Sequence, residues 1–142
     1  MPALDKFHSA VRHALEKDGW TITHDPLTLN FGGERLFIDL GAEQIIAAEK
    51  GTRKIAVEIK TFAGLSKVSD LQDAIGQCVI CRVALRRLQP DRVLYLAVPE
   101  AVLQELFQNR ELWQATVTDE NIRLFGYDAI TEEVVQWFPT TN

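Results

Sequence analysis

The sequence predicts an α/β fold with a mixed central β-sheet flanked by helices. Three observations point there. A helix with apolar residues on one face opens the chain. Several short strands separated by turn residues follow it. A long helical segment then leads into a continuous apolar strand, Arg92-Val93-Leu94-Tyr95-Leu96-Ala97-Val98. Helices and strands in this order bury their apolar faces by stacking as layers. A strand apolar on both faces belongs in the buried middle of its sheet.

Taken in order, residues 3–18 predict a helix, because Ala3, Phe7, Ala10, Val11, Ala14 and Leu15 recur at three- and four-residue spacing. Gly19 supplies its stop. Trp20 to Thr23 reads as a strand and His24-Asp25-Pro26 as a turn, since proline drives the residue before it out of helical geometry. Leu27 to Phe31 alternates like a half-buried strand, Gly32-Gly33 turns it, and Leu36 to Leu40 forms another. The apolar-rich runs Gln44–Lys50 and Lys54–Lys60 meet around Gly51-Thr52, a hairpin signal. After a loop from Ala63 to Ser69, Asp70 to Leu88 reads as a long helix capped by Ser69 or Asp70. Apolar residues occupy most of its circumference, which predicts a largely buried helix. Pro90 ends it, and Pro99 opens a further helix over about residues 100–108. Ile122–Tyr127 and Val134–Phe138 are candidate strands, and Asn109–Thr118 carries no clear signal.

A length of 142 residues, 46% hydrophobic and 25% charged, fits one soluble domain spanning 1–142. No apolar run approaches the roughly 20 residues that span a bilayer. The stretch from Met1 to Lys6 mixes charges and leads into no apolar segment, unlike a signal peptide. The expected location is the cytoplasm. A net charge of −5 argues against a protein that coats nucleic acid, although a confined basic patch or bound metal remains compatible with local contact. Cys78 and Cys81 are the only cysteines. A zinc site needs about four ligands and there is no second pair, so buried, reduced thiols are expected.

The chemistry concentrates at the second arm of the hairpin. Successive strand residues face opposite ways, so Ile55, Val57 and Ile59 share one face and Glu58 and Lys60 the other. If Gly51-Thr52 is a two-residue loop, Glu43 opposes Lys60 and Ile45 opposes Glu58, which gathers Glu43, Glu58 and Lys60. Asp39 has the same parity but lies about 13 Å further along, and it is the alternative second acid. Two carboxylates beside a lysine suit phosphodiester hydrolysis. The carboxylates offer oxygen ligands to Mg²⁺ or Mn²⁺, and the lysine orients water and offsets phosphate charge. The plainer reading is a structural salt bridge across a hairpin.

Glu58-Ile59-Lys60 on the strand before a long helix resembles the core of the PD-(D/E)xK nuclease superfamily. Three stretches, Lys17 to Pro26, Asp39 to Glu43 and Lys54 to Lys60, resemble the XisH family, the excision controlling factors of the fdxN element. Ala74-Ile75-Gly76-Gln77 and Pro90 to Pro99 add two more, and the likeness runs from the N-terminus to Trp137. The resemblance implies a restriction-endonuclease-like fold and a metal-dependent nuclease acting on DNA. It also implies a XisI-like partner in programmed DNA excision in heterocyst-forming cyanobacteria. The alternative is a non-catalytic accessory factor that binds that partner or a recombinase. A homodimer is a further candidate assembly.

Carried over by residue, Glu58 and Lys60 match the superfamily's terminal acid and lysine. Glu43 fits the preceding acid, with Asp39 as fallback, so Glu43, Glu58 and Asp39 are the candidate metal ligands. His8 or Glu16 would stand for the acid that the first helix often supplies. Gln77 resembles the glutamine of a Gln-x-x-x-Tyr motif, with Cys81 where the tyrosine would be.

Other residues read as structural. His13 reads as an exposed helical residue, and His24-Asp25 as a turn device. Lys67, Arg82, Arg86, Arg87 and Arg92 could line a phosphate-contacting face, although solvated surface charge is the commoner explanation. Trp20, Trp113 and Trp137 read as core or interface anchors. Leu103, Leu106, Phe107 and Leu112-Trp113 fit either core or a protein-contact surface.

Overall fold

A computed structural model describes residues 2–47, 51–62 and 66–139. Helix α1 (Pro2–Lys17) ends at Gly19, whose φ of +92° suits a glycine. Strands β1 (Thr21–His24), β2 (Leu27–Phe31), β3 (Glu34–Ile38), β4 (Leu40–Ala47) and β5 (Gly51–Ile59) follow. Then come α2 (Lys67–Leu88) and β6 (Arg92–Pro99). A short helical turn, α3 (Glu100–Val102), runs on into a π-helical stretch, Leu103–Gln108. Helix α4 (Glu111–Asp119) and strands β7 (Leu124–Asp128) and β8 (Glu133–Phe138) complete the order.

Six strands form one mixed sheet in the order β1-β4-β5-β6-β7-β8, while β2 and β3 pair separately as a hairpin. Strands β5, β6 and β7 run parallel, and the other neighbours are antiparallel. This is the mixed sheet between helices that the sequence predicts. Each face carries its own core. Val11 and Leu15 of α1 pack with Leu40, Ile55, Val57, Tyr95 and Phe125 on one side. Leu71, Ala74, Cys78, Cys81 and Leu85 of α2 pack with Ala56, Leu94, Leu96 and the hairpin's Leu27, Leu29 and Ile38 on the other. Residues 94–98 are all buried, as a central strand requires. Trp20 and Trp137 do anchor the α1-side core, with ring centroids 6.0 Å apart, and Trp137 stands edge-on to Tyr95 at 5.0 Å. Leu103, Leu106 and Phe107 are buried in the α2-side core, whereas Leu112 is exposed.

Several expectations change. The strand read over Leu36–Leu40 is two strands, because the chain bends at Asp39 to pass from β3 into β4. The cap of α2 is Ser66, whose hydroxyl accepts from the Ser69 backbone N–H at 3.2 Å, so the helix starts earlier than Asp70. Helix α2 buries one stripe rather than most of its circumference, and Val79, Ile80, Val83 and Leu88 stay exposed. Asn109–Thr118, which had no clear signal, is mostly α4.

The hairpin register differs most. Gly51 is the first residue of β5, not part of a two-residue loop, and it pairs with Ala47. Residues 48–50, the end of the run read over Gln44–Lys50, lie outside the described residues. Glu43 therefore faces Lys54 instead of Lys60, and Ile45 faces Thr52 instead of Glu58. Among the described residues, no helix is long and apolar enough to cross a membrane.

Candidate functional site

The last paired residues of the β4–β5 ladder are Leu40 and Val57. One step further on, Asp39 meets Glu58. The Asp39 backbone N–H donates to Glu58 Oε1 at 3.3 Å, and the Ile59 N–H donates to Asp39 Oδ2 at 2.7 Å. The bend at Asp39 frees its backbone from the ladder and lets its carboxylate fold back onto β5. Lys60 continues alongside β6, its N–H donating to Ala97 O at 3.0 Å, and its Nζ stands 3.7 Å from Glu58 Oε2. Asp39, Glu58 and Lys60 thus form one cluster at the C-terminal end of β5.

The cluster is recessed. The Glu58 and Lys60 side chains are 15% and 25% exposed. Ala56 faces the α2-side core while Val57 faces the α1-side core, so Glu58 lies toward α2. Burial raises the Glu58 pKa from 4.5 to about 7, and the Asp39 charge pushes the same way against the lowering effect of Lys60. A carboxyl group poised near neutral pH in a recess is a frequent mark of a functional site. Beyond Lys60 the chain turns sharply. Phe62 adopts a left-handed φ of +58°, which disfavours a Cβ-bearing residue by about 1–2 kcal/mol. Its side chain is buried in the α2-side core, which offsets that strain.

His8 reaches the site from α1. It lines a small cavity of about 150 Å³ with Phe7, Asp39, Ile59 and Thr61. Its Nε2 donates to Asp25 Oδ1 at 2.7 Å, and Arg12 Nη1 donates to Asp25 Oδ2 at 2.5 Å. Asp25, read from the sequence as a turn device, thus holds the histidine that borders the cluster. Glu16, the alternative to His8, sits near the far end of α1, with Arg12 Nε 4.0 Å away.

Glu43 is not brought to the cluster, for the register reason given above. Its Oε1 lies 4.0 Å from Lys54 Nζ, and it lines a separate cavity with Gly19, Thr21 and Thr52. Gln77 is on the exposed side of α2. Its neighbour Cys78 and Cys81 face inward, buried and unpaired with one another. Burial and the Glu58 charge both raise their thiol pKa values, that of Cys81 to about 11. These are the reduced, buried thiols expected. Arg92 is buried rather than solvated, donating to Ile55 O at 2.9 Å and Gln89 Oε1 at 2.7 Å. Thr61 escaped notice in the sequence, and its only signal there is that it shares strand parity with Ile59.

Two carboxylates offer hard oxygen donors, and Asp39 and Glu58 each keep coordination capacity beyond the backbone N–H they accept. Among the described residues, no group of three or more His, Cys, Asp or Glu could hold a metal ion. The donor set fits an ion such as Mg²⁺, which uses one or two carboxylates and completes its shell with water and substrate phosphate.

A family model described as XisH protein matches residues 1–135. Two crystal structures are similar over 94% of this chain and 98% of their own. One, an XisH family protein from Nostoc punctiforme, is 42% identical with a TM-score of 0.84. The other, a fdxN element excision controlling factor protein from Anabaena variabilis, is 41% identical with a TM-score of 0.83. No match is found among curated proteins.

Proposed function

The chain belongs to the XisH family, and we propose that it is a DNA-element excision controlling factor whose Asp39–Glu58–Lys60 cluster hydrolyses phosphodiester bonds with Mg²⁺ or Mn²⁺. The excision role follows the Anabaena relative, which bears that description. The restriction-endonuclease-like placement rests on the order of elements and on Glu58-Ile59-Lys60 at the end of β5. One observation carries the chemical reading. The backbone bonds between Asp39 and the Glu58-Ile59 segment lock two carboxylates together, and Lys60 stands 3.7 Å from one of them.

In this reading Asp39 and Glu58 hold the ion. When bound, such an ion polarises a phosphate and supplies hydroxide near neutral pH. Lys60 orients the attacking water and offsets the charge that develops on phosphate. His8, fixed by Asp25, lines a cavity beside Asp39 on the α1 side and positions water or substrate there. The test is cleavage of plasmid and linear DNA with and without Mn²⁺. Wild-type protein should cut only with metal. Glu58→Gln and Lys60→Ala should each lower the rate at least about a hundredfold, the scale on which single charge-stabilising groups act, with circular dichroism unchanged. Metal-independent cutting, or unchanged cutting by both variants, overturns the proposal.

A second reading is a non-catalytic factor that binds a XisI-like protein or a recombinase. The lack of a third His, Cys, Asp or Glu donor beside the two carboxylates among the described residues favours it, as does the net charge of −5. Co-purification with a XisI-like protein and no metal-dependent cutting is its expected result. Failure to form that complex counts against it.

A further inference from the structure

We infer that the structure contains an anion pocket for a phosphate group, built by four arginines at the opposite end of the sheet from Glu58. The pocket, about 330 Å³, lies between the C-terminal half of α2, the start of β6 and the segment after α4. Arg82, Arg86, Arg92 and Arg123 line it together with Asn121 and Val93. In the parallel β5–β6 ladder Arg92 pairs with Lys54, four residues before Glu58, or about 13 Å away at strand rise. The pocket is therefore separate from the carboxylate cluster and does not depend on that reading.

Four guanidinium groups in one recess repel each other, and in a chain of net charge −5 such a concentration stands out. None of the four is in a salt bridge among the described residues, and no described carboxylate lines the pocket. Two are held in place by carbonyl oxygens. Arg82 Nη1 donates to Glu120 O at 2.9 Å and Asn121 O at 3.1 Å, and Arg92 Nη1 donates to Ile55 O. Arg86 and Arg123 remain exposed at the rim.

Arg82 Nε is buried with no hydrogen-bond partner, so this guanidinium keeps donor capacity beyond its two carbonyl bonds. Guanidinium groups bind phosphate oxygens through charge-assisted bonds, often two at a time. A volume near the lower end of ligand pockets, roughly 300–1,000 Å³, leaves room for the phosphate and part of the group that carries it. The phosphate is either free or the terminal phosphate of a nucleotide strand.

Thermal melting of the whole protein in inorganic phosphate, at constant ionic strength set with chloride, tests the pocket. Phosphate should raise the melting temperature of wild type. In Arg86→Glu/Arg123→Glu, which alters only rim residues, apparent phosphate affinity should fall at least tenfold. Arg82→Lys keeps the charge but removes the guanidinium fork, and it should weaken the same response. No phosphate-specific shift in wild type, or an equal shift in the rim variant, overturns the inference. A 5′-phosphorylated dinucleotide that binds tenfold or more tighter than inorganic phosphate identifies a strand end as the source. Equal affinity identifies free phosphate.

Discussion

The middle of the β4–β5 ladder and the end just beyond Leu40 and Val57 each hold a glutamate and a lysine, and the two pairs differ in setting. In the middle, Glu43 and Lys54 stand 4.0 Å apart with side chains 34% and 42% exposed. Beyond the end, Glu58 and Lys60 stand 3.7 Å apart, 15% and 25% exposed, with Asp39 tied to the same carboxylate by its backbone. The first pair is solvated and free to separate. The second is recessed on the α2 side, where water screens it less and a proton is held near neutral pH. The recess comes from placement at the end of a central strand, since the middle of the ladder holds the same functional groups without it.

That contrast can be broken by activity first. If DNA cleavage is present, Glu58→Gln should lower it at least about a hundredfold, while Glu43→Gln should stay within about twofold of wild type. Equal losses in single-turnover assays would mean that the middle of the ladder contributes to the chemistry after all. A smaller loss, about tenfold, is expected for His8→Ala, which opens the cavity beside Asp39 and leaves both carboxylates in place.

The next largest difference is in stability. Folding raises the Glu58 pKa from 4.5 to about 7, so the folded protein holds that proton more tightly than the unfolded chain. This stabilisation is full below pH 4.5 and is lost as pH rises through 7. Wild type should lose on the order of 2–3 kcal/mol from this group between pH 4.5 and pH 8.5. Glu58→Gln should flatten that slope and be the more stable protein at pH 8.5, as measured by urea unfolding at both pH values. An unchanged slope would show that Glu58 titrates normally and that the recess is wetter than its geometry indicates. The smallest effect belongs to the open pair. Lys54→Ala should change stability by less than about 1 kcal/mol, and that change should shrink further in high salt. A larger loss would show that the mid-ladder pair is more tightly held than its exposure indicates.

The sequence carried the layers of this fold well because burial leaves a direct mark. Residues 94–98 are apolar because both faces of β6 are covered, and the spacing of Val11, Ala14 and Leu15 follows from one covered face of α1. Glu58 and Lys60 were legible for the converse reason, as charges interrupting a buried strand. Their partner Asp39 was legible only as the alternative to Glu43. Gly51-Thr52 has the composition of a turn, but Gly51 takes its φ of +83° as the first residue of β5. Turn residues report backbone freedom and not the number of residues in a loop. A shift of six positions in pairing preserved parity, so nothing in the alternation of Glu43, Ile45 or Asp39 could expose the error. Helix α2 misled in another way. Its apolar residues exceed what the sheet can cover, and composition alone does not say which face is left in water.

The bend at Asp39 also has a consequence for how far this chain can vary in length. The residues that join the hairpin arms lie at one extremity, and Asp39 and Glu58 close the other. Residues added at the tip lengthen a loop without moving the far end, and residues added at Gly32-Gly33 enlarge a turn between β2 and β3. A single residue inserted within Leu40–Ala47 or Gly51–Val57 would instead rotate every side chain beyond it to the opposite face and carry one carboxylate away from the other. The interval between the two acids is thus elastic only where its two paired arms are joined and rigid along the arms themselves. Chains built this way can differ widely in the count of residues between Asp39 and Glu58 and still bring the same two oxygens together.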